Sequence, residues 1–269
     1  MSNFIVNFHR SRLALALGLA LIAGPALADS AASATLGNVH ITLTDLDKRD
    51  GITPSLTINF GSQPYLNGAV GSYGPEFLQD GYAHLGRNAG STVTDSIQAA
   101  FASSSATMVG ADTVAGIFSM AVAGSAGSGR GIGSGEFGAL AANYTSSSFT
   151  LSANTAITIT VDAVMQVQTT LGYDPVSGSA EHASSHVQMY FDGLDPSGNE
   201  LFDEAYQALY VDATLDPSGG FTGASQGWSG TLSITLANTS SQAIDGTFYS
   251  ELGVGGSSIA AAVPEPGSY

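Results

Sequence analysis

The sequence predicts an all-β fold, an antiparallel β-sandwich with jelly-roll-like connections, on three observations. Apolar residues recur at every second position in the clearest segments. Turn-forming Pro and Gly punctuate those segments at short intervals. The composition, rich in Gly, Ser, Thr and Ala with only 10% charged residues, lacks the Glu, Lys, Arg and Leu that helix surfaces favour.

Residues 156–169 give the clearest strand. Ile157, Ile159, Val161, Ala163, Met165 and Val167 alternate there with Thr158, Thr160, Asp162, Val164, Gln166 and Gln168, so one face is buried and one is wet. The rhythm returns at 186–191, with Val187, Met189 and Phe191 inward, and at 231–236, with Leu232, Ile234 and Leu236 inward. Between these strands lie turns at 173–178, 194–199, 216–220 and 238–242. Three of them set Pro directly after Asp with a Gly close behind; Pro fixes φ and Gly supplies positive φ. Earlier in the chain, 40–46 and 55–60 read as strands, and 61–90 is a long Gly-, Tyr- and Pro-containing stretch. Residues 97–123 suit strand or helix, and 124–138, low in complexity, reads as a mobile loop.

The N-terminus has the three parts of a secretory signal: basic Arg10 and Arg12, an apolar run over 13–23, and the small-x-small site Ala26-Leu27-Ala28. Cleavage is expected after Ala28. The run is roughly half the ~20 residues that span a bilayer, and Gly24-Pro25 breaks it, so no permanent transmembrane anchor is expected here. The organisation expected is a signal over 1–28, a strand-rich portion over 29–146, a sandwich core over 147–258 and a linker with a terminal motif over 259–269.

Charge restricts the partners. Removal of the signal leaves 22 carboxylates against Lys48, Arg49, Arg87 and Arg130, a balance that repels nucleic acid and anionic lipid headgroups. The chain has no cysteine, which excludes disulfides and thiolate metal sites. Its core alone must hold it together, and a chain of this size can bury enough surface to do so.

The terminal residues Val263, Pro264, Glu265, Pro266, Gly267, Ser268 and Tyr269 resemble the opening of the PEP-CTERM sorting tag. In that family the tag continues as an apolar helix and closes with an Arg cluster. The given sequence stops ahead of both, so exosortase-type processing is expected only where the full tag exists. A second resemblance runs through 148–152, 157–169, 172–175, Trp228-Ser229-Gly230-Thr231-Leu232 and Asn238-Thr239-Ser240. Their order is similar to exported β-sandwich proteins bearing this tag, found in bacteria that make exopolysaccharide. The resemblance implies a non-catalytic, secreted or cell-surface protein of an exopolysaccharide or biofilm matrix. A carbohydrate-binding module is the first alternative and an extracellular polymer hydrolase the second.

Individual motifs are weighed on their chemistry. Gly223-Ala224-Ser225-Gln226-Gly227 fits the nucleophile-elbow pattern, but an elbow needs a following helix and a later histidine. A strand follows here and the last histidine is His186, so the segment reads as a Gly-rich turn. Gly133-Ser134-Gly135-Glu136-Phe137-Gly138 matches the dinucleotide pattern without the βαβ unit that gives it meaning. His182 and His186, four apart, share one strand face. They could ligate a metal with a carboxylate, but Glu181 points the other way, and solvated surface histidines are the favoured reading.

Asp192, Asp195, Asn199, Glu200, Asp203 and Glu204 gather oxygen ligands of the kind calcium takes, out of EF-hand order. No other cofactor is expected, and a solvated acidic loop is the competing reading of these residues. Tyr190, Tyr206, Tyr210 and the lone Trp228 are the candidate glycan contacts, since aromatic rings stack on the apolar faces of sugars. Core or incidental surface placement is the favoured reading of these four, with Trp228 suited to plug the core. No carboxylate pair with the fixed separation that glycoside hydrolysis needs can be read from the sequence.

Overall fold

The computed structural model describes residues 29–59, 65–73, 78–85, 92–108, 118–128, 134–142, 147–170, 173–174, 179–215 and 221–259. The signal segment, its Ala26 and Ala28, and the motif Val263, Pro264, Glu265 and Pro266 lie outside them. The strands, numbered in chain order, begin with β1 (Asp29–Asp45), β2 (Leu56–Asn59), β3 (Tyr65–Tyr73), β4 (Leu78–Leu85), β5 (Val93–Gln98) and β6 (Ala102–Met108). There follow β7 (Met120–Gly127), β8 (Ser134–Ala142), β9 (Ser147–Leu151), β10 (Thr155–Thr169), β11 (Tyr173–Asp174) and β12 (Ser179–Ala180). The last are β13 (His182–Leu194), β14 (Glu200–Asp212), β15 (Thr214–Leu215), β16 (Phe221–Thr222), β17 (Ser225–Asn238) and β18 (Ile244–Ser257).

Two antiparallel sheets pack face to face as a β-sandwich. The first runs β17-β10-β1-β7-β6-β5. The second runs β14-β13-β18-β8-β3-β4, with β9 on the early half of β18 and β2 on β9. The long strands cross between the layers repeatedly: β1 lies in the first sheet, β2 to β4 in the second, β5 to β7 in the first, β8 and β9 in the second. The chain then alternates through β10, the β13–β14 pair, β17 and β18. Jelly-roll-like connectivity rests on such crossings.

Period-two patterning explains the layering. In β10 the residues Ile157, Ile159, Val161, Ala163, Met165 and Val167 are all buried, as are Ala183, Val187, Met189 and Phe191 of β13. These positions meet between the sheets in one apolar cluster that also takes in Phe118, Phe137, Phe149 and Phe248. β1 bends at a register shift between Gly37 and His40. Asn38 takes φ 54° there, a conformation that Asn tolerates better than most residues.

Three stretches of the first half are clarified. Residues 97–123, compatible with helix or strand, carry the end of β5, all of β6 and the start of β7. The segment 61–90 contains β3 and β4. The expected mobile loop over 124–138 is corrected: its described residues largely extend β7 and β8. The glycines there serve packing, because a Cβ at Gly124 would stand 2.1 Å from the Phe137 ring, and one at Gly256 on β18 would stand 2.6 Å from it. Phe137 therefore fills the gap between the layers where both backbones are bare.

Strands from before and after residue 146 share both sheets. β1, β5, β6 and β7 join β10 and β17 in the first, while β3, β4 and β8 join β13, β14 and β18 in the second.

Candidate carbohydrate-binding face

The outer face of the second sheet is assembled from three neighbouring strands. β14 alternates Glu200, Phe202, Glu204, Tyr206, Ala208, Tyr210 and Asp212 outward, and all seven are exposed. Phe202, Tyr206 and Tyr210 are 52%, 57% and 58% exposed, unusual for rings of this size, which ordinarily bury their faces. Alternate residues of a strand share a face, so ring and carboxylate succeed one another along β14, interrupted at Ala208.

β13 lies beside it, pairing Tyr190 with Glu204, Gln188 with Tyr206, Ser184 with Tyr210 and His182 with Asp212. On the far side of β13, β18 places Tyr249 opposite Tyr190, Glu251 opposite Gln188, Gly253 opposite His186 and Ser257 opposite His182. Rings meet directly between β13 and β18 and diagonally between β13 and β14. Tyr190 stacks on Tyr249 with centroids 4.9 Å apart and leans on Phe202 at 5.8 Å. His186 stacks on Tyr206 at 6.5 Å, and His182 on Tyr210 at 6.2 Å. Seven rings thus share this face of β14, β13 and β18 in three stacked groups.

A hydrogen-bonded cluster fixes its middle. His186 Nε2 lies 2.7 Å from Glu251 Oε1, and the Tyr249 hydroxyl donates to Glu251 Oε2. Burial pushes the Glu251 carboxyl up, but the hydrogen bonds from His186 and Tyr249, with the charge of His186, outweigh it and hold the group below its ordinary value. The His186 ring reaches Glu251 by lying over Gly253, where a Cβ would stand 2.1 Å from its Cε1. His182 Nδ1 lies 2.9 Å from Ser257 Oγ. The Tyr210 hydroxyl donates to Asp212 at 2.6 Å, and that bond, ahead of burial and the charge of Asp212, raises the phenol.

Beyond the rings the face flattens. A trough of about 340 Å³ beside His186 and Ser184 is floored by Gly253, Gly255, Gly138 and Ala69. An open depression of about 700 Å³ lies at the His182 end, bordered by Tyr210, Asp212, Ser257 and Glu136.

Of the sequence-derived glycan candidates, Tyr190, Tyr206 and Tyr210 come together on this face. Trp228 does not: it belongs to β17 of the other sheet, partly buried against the core. Sequence reading missed Phe202, Tyr249 and Glu251. The outward alternation of β14 could have found Phe202, but the pairing of β13 with β18, separated by about half the molecule's later chain, has no local signal.

The calcium candidates are dispersed by the strands. Asp195 closes its own turn, accepting from Ser197 N and Asn199 N at 2.8 Å and from Asn199 Nδ2 at 2.8 Å. The side-chain bond from Asn199, with the backbone donors, holds its carboxyl below the ordinary value. Asp203 points opposite to Glu200 and Glu204, because odd and even residues of β14 face opposite ways, and its Oδ2 accepts from Thr235 N of β17 at 2.6 Å. Asp192 stands exposed opposite Phe202. Among the described residues no three His, Asp or Glu side chains are grouped as a metal site requires. Glu181 is buried and accepts from Thr170 N at 3.0 Å, turned away from the two histidines. The segment 223–227 leads into β17, and the described residues 134–138 of the other glycine motif open β8.

Among the described residues, no helix is long and apolar enough to cross a membrane. No family model matches the chain, and no curated protein matches it. Among solved structures, the chain titled "Structure of PfGH50B" aligns with 36% of this chain and 20% of its own length, at 10% identity and a TM-score of 0.07, a likeness that carries no argument.

Proposed function

We propose that this chain is an exported, non-catalytic component of a bacterial exopolysaccharide or biofilm matrix that attaches to polysaccharide through the outer face of β14, β13 and β18. The observation that carries the reading is the row of Phe202, Tyr206 and Tyr210, each more than half exposed on one face of one strand. Rings held at regular spacing on a rigid sheet offer stacking surface to successive sugars at little entropic cost. The signal-like N-terminus and the Pro-Glu-Pro motif support the extracellular address. The open form of both depressions suits a polymer lying along a surface better than one severed in a cleft.

Co-sedimentation of the protein with purified bacterial exopolysaccharide tests the proposal, with released reducing sugar assayed in the same tubes. Saturable binding without release is the expected result, with affinity falling about tenfold or more on Tyr206→Ala plus Tyr210→Ala, on the order of 1.4 kcal/mol. Release of sugar would make the protein a hydrolase. Failure to bind any polysaccharide would leave a structural surface protein.

A further inference from the structure

Resting on that reading, we infer that the polysaccharide bound by this face carries protonated amines, as in a polymer of de-N-acetylated amino sugars. Glu200, Phe202, Glu204, Tyr206, Ala208, Tyr210 and Asp212 all face solvent from one side of the strand, and successive members lie about 7 Å apart along a strand rising ~3.3 Å per residue. Each ring therefore has a carboxylate beside it on the scale of one pyranose, although Ala208 interrupts the alternation between Tyr206 and Tyr210. The negative face of an aromatic ring attracts a cation, and a carboxylate beside it does so as well. A neutral sugar would use the rings and gain nothing from the charge between them.

Lys and Arg occur in none of the strands of either sheet. The partners that the acids do have leave their charge in place: Glu204 accepts from the neutral amide of Gln188 at 2.6 Å, and Asp212 from the Tyr210 hydroxyl at 2.6 Å. Glu251 differs, being already engaged by His186. A uronate or sulfated polymer laid along β14 would meet uncompensated like charge, which disfavours it by the same field that draws an amine.

Three matched probes decide the matter by calorimetric titration: a glucosamine hexamer with free amines, its fully N-acetylated counterpart and an oligouronate of similar length. Each is titrated against the folded protein and against Tyr206→Ala plus Tyr210→Ala, at low and high salt. The expected order is free amine, then N-acetylated, then uronate, with about tenfold or more between the first two at low salt. The advantage should shrink as salt screens it and in Glu204→Gln plus Asp212→Asn. Equal binding of the amine and N-acetyl forms would overturn this inference and leave the carbohydrate-binding reading standing. Binding of none of the three would remove both. Amine binding that survives loss of both tyrosines, with polylysine competing equally well, would reduce the effect to attraction between a polyanion and any polycation, and would overturn it.

Discussion

Gly253 decides the geometry around His186 more than any charged neighbour does. Its missing side chain is the space over which the imidazole leans to reach Glu251. Gly253→Val should swing the ring outward, break the pairing and weaken polysaccharide binding, while the exposed tyrosines on β14 remain. The carboxyl signal of Glu251 in a pH titration would report the change, moving up from its depressed position once His186 is lost. The sign for stability follows from that depression. Glu251 titrates lower in the folded protein than in the unfolded chain, so its contribution is complete above its ordinary value and is lost as pH falls through the folded one. Glu251→Gln should therefore lower stability at neutral pH by about 1 kcal/mol, read as a lower melting temperature, and the deficit should vanish in acid. A deficit that persists unchanged in acid would assign the loss to packing. Tyr206 and Tyr210 were legible in the sequence because four residues along a strand return to the same face. The rings of His186 and His182 were legible only as a pair of histidines, since their partners arrive from β14 and β18.

At the scale of single strands, the exposed edge of β17 is met by Asp203. Its carboxylate takes the Thr235 amide at 2.6 Å, joining the edge strand of one sheet to the edge strand of the other. An inward-pointing charge on a sheet edge also discourages pairing with a second molecule. Asp203→Ala should cost about 1.5–3 kcal/mol, the range for a hydrogen bond to a charged group, and should raise the tendency to aggregate. Thermal melts with light scattering would measure both; an unchanged melting temperature would show the bond to be replaceable by water. The strands themselves were the most readable feature. β10, β13 and β17 appear where alternation places them because each has one wet and one dry face. β7 and β8 were hidden in a Gly- and Ser-rich segment whose small residues are selected by the bulk of Phe137 rather than by flexibility. Loop-like composition and strand-forming geometry coincide there, and local sequence cannot separate them.

At the scale of the molecule, the crossings between sheets make the two halves of the chain mutually dependent. A fragment over 147–258 would keep β10 and β13 but lose β1, which lies between β7 and β10, and β8, which flanks β18. It should fail to fold alone, giving a narrow amide proton spectrum, whereas a chain over 29–269 should unfold in one transition; a dispersed spectrum from the fragment would refute this. Phe137→Ala, which empties the contact between Gly124 and Gly256, should destabilise the whole by about 3–5 kcal/mol. The exclusion of Lys and Arg from every described strand has a separate consequence, in the chain's fate among proteases. After residue 28, trypsin-like enzymes have four places to cut, after Lys48, Arg49, Arg87 and Arg130. All four precede β8, so β8 through β18 pass intact into one peptide even when the protein is unfolded. Enzymes of that specificity leave every ring-bearing strand whole.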